Sequence, residues 1–522
     1  MTPSKPVRPA SAKGRSRRAR RRRRRAVRHA ASLLLSAVLL AAVVSLAWWG
    51  TLTPPVPPSP VSAVNVLATT TDTPFVCPAA PRNTLGAVAL GQTTSTTTIT
   101  PLPGASALSW GQEELDTSAP TVRTDGEGGT LHLVAGEVAG QDSPAGGVVG
   151  VSTTLTPDGD LRGLTAAPCS PASAISWFVG GSTALGSSAE LRMTNPGTTT
   201  VKARVSLYGS TGRLALPSNG ELTVPAGQTV ALLLETAGAA DDRVALSVEA
   251  DGGTIVPVLV TESLDGETPA GTEVLTRGAA PSTSLSVPGV VLVEPENQGE
   301  RSDAQTSAVS AQSPAVRVVN PGTEAATVSV SLLGAAGQEA LPGAEQVVID
   351  PGAVFDISLG GVAPGHYAVR VTSDAPVSAA VRLVRSAGEY PARSGALAHD
   401  IAWVQATTPG TLDSATLAVP REQGLSPVVV LSNSSARDAA LTLGSADGSW
   451  TQEITVPAWS TLTPEIPQGV TALTLSGQDV DAVSAAAVVT VSVQGDVPGE
   501  LIAIIPAVPD AAALSGRPIL LR

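Results

Sequence analysis

RMTNPGTTTVKARVSLYGSTG, residues 192–212, returns at residues 317–337 as RVVNPGTEAATVSVSLLGAAG, 125 positions later and with ten of 21 residues identical. Asn195, Pro196 and Gly197 fall on Asn320, Pro321 and Gly322. After the corner, Val201, Ala203, Val205 and Leu207 alternate with Lys202, Arg204 and Ser206. Alternation of this period gives a strand one dry face and one wet face, and the dry face has to be covered by a second sheet. The corner itself reads as a type II turn, with Pro fixing φ near about −65° at the second position and Gly accepting positive φ at the third.

Later landmarks repeat more loosely. Val224-Pro225-Ala226-Gly227 in one copy matches Asp350-Pro351-Gly352 in the other, and each is followed by further alternating strands. A third, degenerate copy begins at Val428 and carries Asn433-Ser434-Ser435 at the corner, where Ser replaces both Pro and Gly. Roughly seven short strands per unit, punctuated by turn signals, predict a mainly β chain of tandem immunoglobulin-like β-sandwich modules. Residues 50–522 hold only 11 aromatic side chains, so Val, Leu and Ala must build the cores.

The N-terminus has a different character. Residues 1–28 contain 13 of the 32 Lys and Arg and no acid, so that 19 basic residues face 44 acidic ones in the rest, a net of −25. Residues 30–49, AASLLLSAVLLAAVVSLAWW, follow without a charge. Twenty such residues in a helix match a hydrocarbon core of roughly 30 Å. The preceding cations and the exit-side Trp48 and Trp49 predict a single-pass transmembrane helix with a cytoplasmic N-terminus and an extracytoplasmic C-terminal region. In this setting the Arg run is a topological signal, and nucleic acid is not an expected partner. A cleavable signal peptide is the alternative, because Ser45-Leu46-Ala47 offers small residues at suitable spacing, but the length of the apolar run and the tryptophans favour an uncleaved anchor.

The expected organisation is a basic segment at 1–28, a membrane helix at 29–49 and a Pro/Thr-rich linker at 50–76. A disulfide-closed β domain at 77–170 follows, then modules at 171–285, 286–395 and 396–505 and a tail at 506–522. Cys77 and Cys169 are the only cysteines, and on the outer side of a membrane they predict one disulfide. Chain-entropy arguments give such a long loop roughly 4–5 kcal/mol of stabilisation.

Residues for chemistry are sparse. His29 belongs to the membrane flank, His132 and His366 lie in or beside strands, and His399-Asp400 reads as linker. No Gly-x-Ser-x-Gly elbow presents a nucleophile, and Lys202 is the only lysine beyond the apolar run. Glu113, Glu114 and Glu294 have the chemistry of a glycosidase pair without a distinguishing context. Asp158-Gly159-Asp160, Asp241-Asp242 and Asp479-Val480-Asp481 could supply oxygens to calcium, yet none completes a calcium loop. Trp110, Trp177 and Trp403 recur in similar strings and read as core, whereas Trp450 and Trp459 are the candidates for stacking on a ligand. No catalytic residue, metal or cofactor is expected.

The order of basic N-terminus, span, Pro/Thr spacer, Cys169, Trp177-Phe178-Val179-Gly180-Gly181-Ser182-Thr183 and Asn195-Pro196-Gly197 resembles a family of actinobacterial membrane-anchored envelope proteins of unknown function. That resemblance implies a cell-envelope location and supplies no catalytic residues. The expectation is a non-enzymatic structural or interaction protein, a rod of modules that meets envelope proteins or glycans. A glycan-binding or envelope-polymer assembly accessory is the alternative, and an envelope hydrolase stands third.

Overall fold

The computed structural model describes residues 37–46, 48, 72–135, 147–294, 312–410 and 414–509. Of the expected span, residues 37–46 and 48 are helical, with Val38, Leu39, Leu40, Val43, Val44, Leu46 and Trp48 exposed. No helix among the described residues is long and apolar enough to cross a membrane, and the remainder of the expected span lies outside them. The basic segment and nearly all of the linker also fall outside the described residues.

The described residues between 72 and 509 form one compact unit built from strands. Its first domain pairs a sheet containing Asp72–Cys77, Ala105–Trp110 and Gly129–Ala135 with one containing Thr94–Pro101, Val148–Thr156 and Gly163–Pro168. Phe75, Leu131 and Leu133 from one sheet meet Ile99 and Val148 from the other. The Cys77–Cys169 disulfide joins the two ends of the domain with Cα atoms 4.0 Å apart. Gly150 passes directly beneath it, where an added Cβ would overlap Cys169 Sγ, so the close approach requires glycine.

Each repeat is likewise two sheets over one core. In the first, Val201–Gly209 and Ala245–Asp251 face Ser187–Thr194 and Val256–Asp265; Val201, Ala203, Val205 and Leu207 are buried and Lys202 and Arg204 exposed, as read from the sequence, but Ser206, expected on the wet face, is buried. In the second, the 25-residue strand Gly365–Glu389 serves both sheets, pairing with Ser282–Leu292 and Ala326–Gly334 before its bend and with Ala315–Val319 and Leu397–Gln405 after it. The third packs Ala439–Ser445 and Ala472–Ser476 against Ser426–Asn433 and Val483–Val493. Two boundaries therefore move. The division at 285/286 falls inside Ser282–Leu292, and the one at 395/396 falls inside the hairpin that completes the second repeat. Pro506 and Val508–Pro509, assigned to a tail, belong to the third repeat's sheets.

The domains are not strung out as a rod. One late strand of each, namely Gly163–Pro168, Thr268–Leu275, Leu397–Gln405 and Gly499–Pro506, lies against the next, and the fourth returns to the first. Each of the four seams has an apolar component. Leu164 and Ala166 join the core of the third repeat, Ile502 and Ile504 join that of the second, Trp403 and Ile401 join that of the first, and Ala167 packs on Val258 and Val274. The unit is a closed ring of four β domains, because apolar strand faces on both sides of each module have to be buried and the neighbouring modules cover them.

The corner also differs from its expected form. Gly197 and Gly322 lie outside the left-handed region, so neither turn is type II. The asparagine side chain closes the turn instead. Asn195 Oδ1 accepts the Gly197 N–H at 3.0 Å, and its Nδ2 donates to the carbonyls of Thr199 and Val224 at 2.8 and 3.0 Å. Asn320 makes the same bonds with Gly322, Glu324 and Ile349, and Asn433 makes them with Ser435, Arg437 and Val456. All three asparagines are fully buried. Since only a backbone N–H is asked of the third residue, serine serves as well as glycine.

Replacing Asn320 with Ala removes its bonds to the Gly322 N–H and to the carbonyls of Glu324, Ile349 and Asp350, of which the Ile349 bond is buried, and is expected to cost about 1–3 kcal/mol. Gly322→Ser should stay within about 1 kcal/mol. Urea unfolding of the full-length chain compares the two; equal losses would return the weight of the corner to the glycine.

Candidate functional site

The four closing strands meet at the middle of the ring, and charged side chains are buried there. Within Leu397–Gln405 the pleat sends Asp400, Ala402 and Val404 to one side and His399, Ile401 and Trp403 to the other. Asp400 is fully buried, and its Oδ2 accepts the N–H of Ile502 at 2.8 Å and of Leu164 at 3.3 Å. One carboxylate thus ties together strands from three domains. The fourth domain contributes Glu273, whose Oε1 accepts the N–H of Val274 at 2.8 Å. Arg162, also fully buried, enters just ahead of Gly163 and donates from Nη2 to the Val497 carbonyl at 3.5 Å.

Burial dominates the electrostatics. It pushes the Asp400 carboxyl up to about 7, against the pull of the Ile502 N–H and the Arg162 charge. It pushes Glu273 well above the usual range, and the Asp400 charge adds to the rise. Burial lowers Arg162, an effect that Asp400 opposes. These directions keep Glu273 neutral at neutral pH, while Asp400, near its own midpoint there, is divided between its neutral and ionised forms. Arg162 Nε and Nη1, Asp400 Oδ1, Glu273 Oε2 and Thr272 Oγ1 have no hydrogen-bond partner. The group is sealed from solvent, and Asp400 clamps strands of three domains.

On the other face of the same strand lies the seam between the first and second repeats. Arg317 donates from Nε and Nη2 to Asp356 at 2.8 and 3.0 Å, and from Nη1 to the Gly181 carbonyl at 2.6 Å. The guanidinium groups of Arg317 and Arg382 lie 4.7 and 5.7 Å from the centre of the Trp403 ring. Burial would raise the Asp356 carboxyl, but the Arg317 charge and hydrogen bonds outweigh it and hold Asp356 below its ordinary value. Burial and the Arg317 charge push Arg382 down to about 10. The recurrent tryptophan string read as core is core in two cases, since Trp177 and Trp403 are buried and Trp110 is half-buried.

The remaining candidates separate. His399-Asp400 is a correction: it is part of the central strand and not of a linker, because Leu397–Gln405 pairs with the long strand of its own repeat. His399 Nδ1 lies 3.3 Å from the hydroxyl of its cross-strand partner Ser386, and burial lowers the imidazole. Among the described residues no carboxylate hydrogen-bonds that ring, so the pair lacks the third member of a triad. Glu113 is spent on Arg123 at 2.9 Å. Glu294 shares a cleft with Glu500, but Glu294 is exposed and Glu500 is held by Arg385 at 3.0 Å.

Asp160 accepts from the backbone of Val88 and Ala89 and from the Tyr390 hydroxyl, Asp241 from Ser210 and Arg243, and Asp479 from Ala440. Among the described residues no three His, Cys, Asp or Glu are grouped to hold a metal ion. Trp450 is half-buried on the third repeat's core. Trp459 has a guanidinium, that of Arg370, 4.8 Å from its ring centre. Trp450 lies in the turn just before the strand Thr451–Val456, and Trp459 in the turn just before Ser460–Leu462.

The missed signal sits at the second turn. Gly227 and Gly352 have φ of +66° and +71°, and their N–H groups donate to the carbonyls of Asn195 and Asn320. The third copy places Trp459 there with φ +52°, its N–H donating to the Ser435 carbonyl. A bulky residue in this region is strained, and its Arg370 contact crosses to the second repeat.

The sequence matches the Family of unknown function (DUF5719) over residues 121–467, and the chain belongs to that family. The match begins in the first domain and ends in the third repeat, so it takes in part of every ring member. A comparison with curated proteins gave no match.

Because the folded-state value of Asp400 lies above that of an unfolded aspartate, the folded state holds the extra proton between about pH 4 and pH 7, and stability falls as pH rises through that window. The loss attributable to Asp400 is of order 4 kcal/mol, complete above pH 7. Asp400→Asn should be the more stable protein at pH 8 and show a shallower decline, measured by urea midpoints from pH 4 to 8; parallel curves would remove Asp400 from the clamp.

Proposed function

We propose that the chain is a membrane-anchored, extracytoplasmic interaction protein of a bacterial cell envelope, with the ring of β domains as its working part. The observation that carries this reading is the run of 20 uncharged residues at 30–49 directly behind 13 cations and no acid. The part of that run that is described is helical and exposes its apolar side chains. A disulfide in the first domain suits an oxidising compartment. The buried charges are sealed inside the ring, which supports a role exercised through surfaces and not through catalysis. A rigid acidic ring on a tether presents several domain faces to partners at a fixed spacing, and proteins or glycans of the envelope are the partners proposed.

Expression of the full-length chain with a C-terminal tag in a bacterial host tests this. The tag should sediment with membranes, be lost when intact cells meet protease, and sit on a protein whose thiols react only after reduction. A soluble protein with a protease-protected tag and free thiols would overturn the anchor, the topology and the compartment together.

A further inference from the structure

An open sheet edge is a place where another chain can add a strand, and folded proteins shorten, cover or charge their edges to prevent it. Several edges here are treated in that way. Glu113–Leu115, Thr121–Arg123 and Thr451–Val456 carry Glu113, Arg123 and Glu453 at the rims of their sheets. Ile175–Val179 is closed by the Gln405 amide, which donates to the Val179 carbonyl at 2.9 Å and accepts the Val179 N–H at 3.0 Å. Thr229–Leu233, the edge strand of the first repeat, has no such device: it reads TVALL, without charge or proline. Its counterpart in the third repeat, Ser460–Leu462, lies against Ala326–Gly334 of the second. The first repeat has no repeat before it to do the same.

The ladder shows which backbone groups are open. Asn195 donates its N–H to the Gln228 carbonyl at 2.9 Å, and Ala189 donates its N–H to Glu235 Oε1 at 2.7 Å. Bonded and non-bonded pairs alternate along an antiparallel ladder. Val230 and Leu232 therefore bond inward to Met193 and Leu191, while the N–H and C=O of Thr229 and Ala231 and the N–H of Leu233 turn outward. Among the described residues no hydrogen bond meets the outward backbone groups of Thr229 and Ala231. The side chains of Val230 and Leu232 pack on the core, and Thr229, Ala231 and Leu233 are exposed.

We propose that this edge pairs, antiparallel, with the same edge of a second copy of the chain about a two-fold axis at Ala231. The proposal goes beyond the interaction role above and does not depend on membrane attachment. The strand is its own complement. Reversed upon itself it sets Ala231 opposite Ala231, and each can exchange both its N–H and its C=O with the other. Thr229 then stands opposite Leu233 on either side of the axis, and both again bond outward. The chain beyond residue 28 carries a net of −25, yet this strand sets no like charges against each other. Pairing of two five-residue strands falls at the small end of specific contacts, under roughly 1,200 Å², so the dimer is reversible.

The test is thiol trapping in the purified full-length chain in detergent, since its own two cysteines are joined to each other. Ala231→Cys, Thr229→Cys and Leu233→Cys each change an exposed side chain, and each is oxidised mildly or bridged with a thiol linker of the shortest reach. Ala231→Cys should give a cross-linked dimer, and so should a mixture of Thr229→Cys with Leu233→Cys. Either should exceed Thr229→Cys or Leu233→Cys alone roughly tenfold, because like positions other than Ala231 lie roughly 14 Å apart along the paired strands. Adding Ala231→Lys to both members of the mixture, which opposes two cations at the axis, should cut its yield severalfold. Equal trapping at all three single positions overturns the proposal. So does a mixture that Ala231→Lys leaves unchanged, or an Ala231→Cys chain that never traps itself, whatever foreign strand it accepts.

Discussion

The ring depends on one carboxylate accepting backbone N–H groups from strands that belong to other domains. Asp400 takes the N–H of Leu164 from the first domain and of Ile502 from the third repeat. Taking a charge out of water is expensive, and only several directed donors together with the Arg162 charge make it tolerable. That expense brings register. A one-residue slip of either strand would remove its N–H from Oδ2 and reverse its apolar face. The apolar contacts at the four seams, from Leu164, Ala166, Ala167, Ile401, Trp403, Ile502 and Ile504, add cohesion but have no comparable directionality.

Within each repeat the equivalent role falls to a buried asparagine. Its amide bridges the start of one strand and the end of another, holding two sheets at a fixed approach. The residues around it can then vary. Pro-Gly in two copies and Ser-Ser in the third satisfy the same geometry, because the amide oxygen needs only the N–H two positions on. The third copy departs further at Trp459, where a left-handed backbone holds an aromatic ring and not a glycine. The compensation is a contact across the seam with Arg370, so strain inside one module is matched to adhesion with its neighbour.

Much of the module interior could be read from the sequence. Alternation of Val201, Ala203 and Val205 with Lys202 and Arg204 places one face in water and one in the core, and only Ser206, buried against expectation, departs from it. The Cys77–Cys169 pairing followed from there being two cysteines. The asparagine was visible, but its function was assigned to the glycine beside it, since turn statistics describe backbones and the closing bond here is a side-chain bond. His399-Asp400 looked like linker because a polar pair between apolar stretches is the usual mark of a loop. Only the folded chain shows that Asp400 is addressed to Leu164 and Ile502, residues to which no sequence spacing points. Ring closure was illegible for the same reason: an apolar strand face announces that it must be covered, not by what.

A ring joined between its first and last members also has an order of synthesis. Leu164 and Ala166 are buried against the third repeat, which is made last. Until the strand Gly499–Pro506 emerges, the first domain carries an uncovered apolar edge, while the first and second repeats can already settle on one another. The nascent chain therefore spends most of its synthesis as an open arc with two adhesive ends, and a chain truncated before its last strands would keep both of them. An arc of that kind presents the same two apolar edges to a second copy as to itself, which is the geometry that exchange of end domains between copies requires.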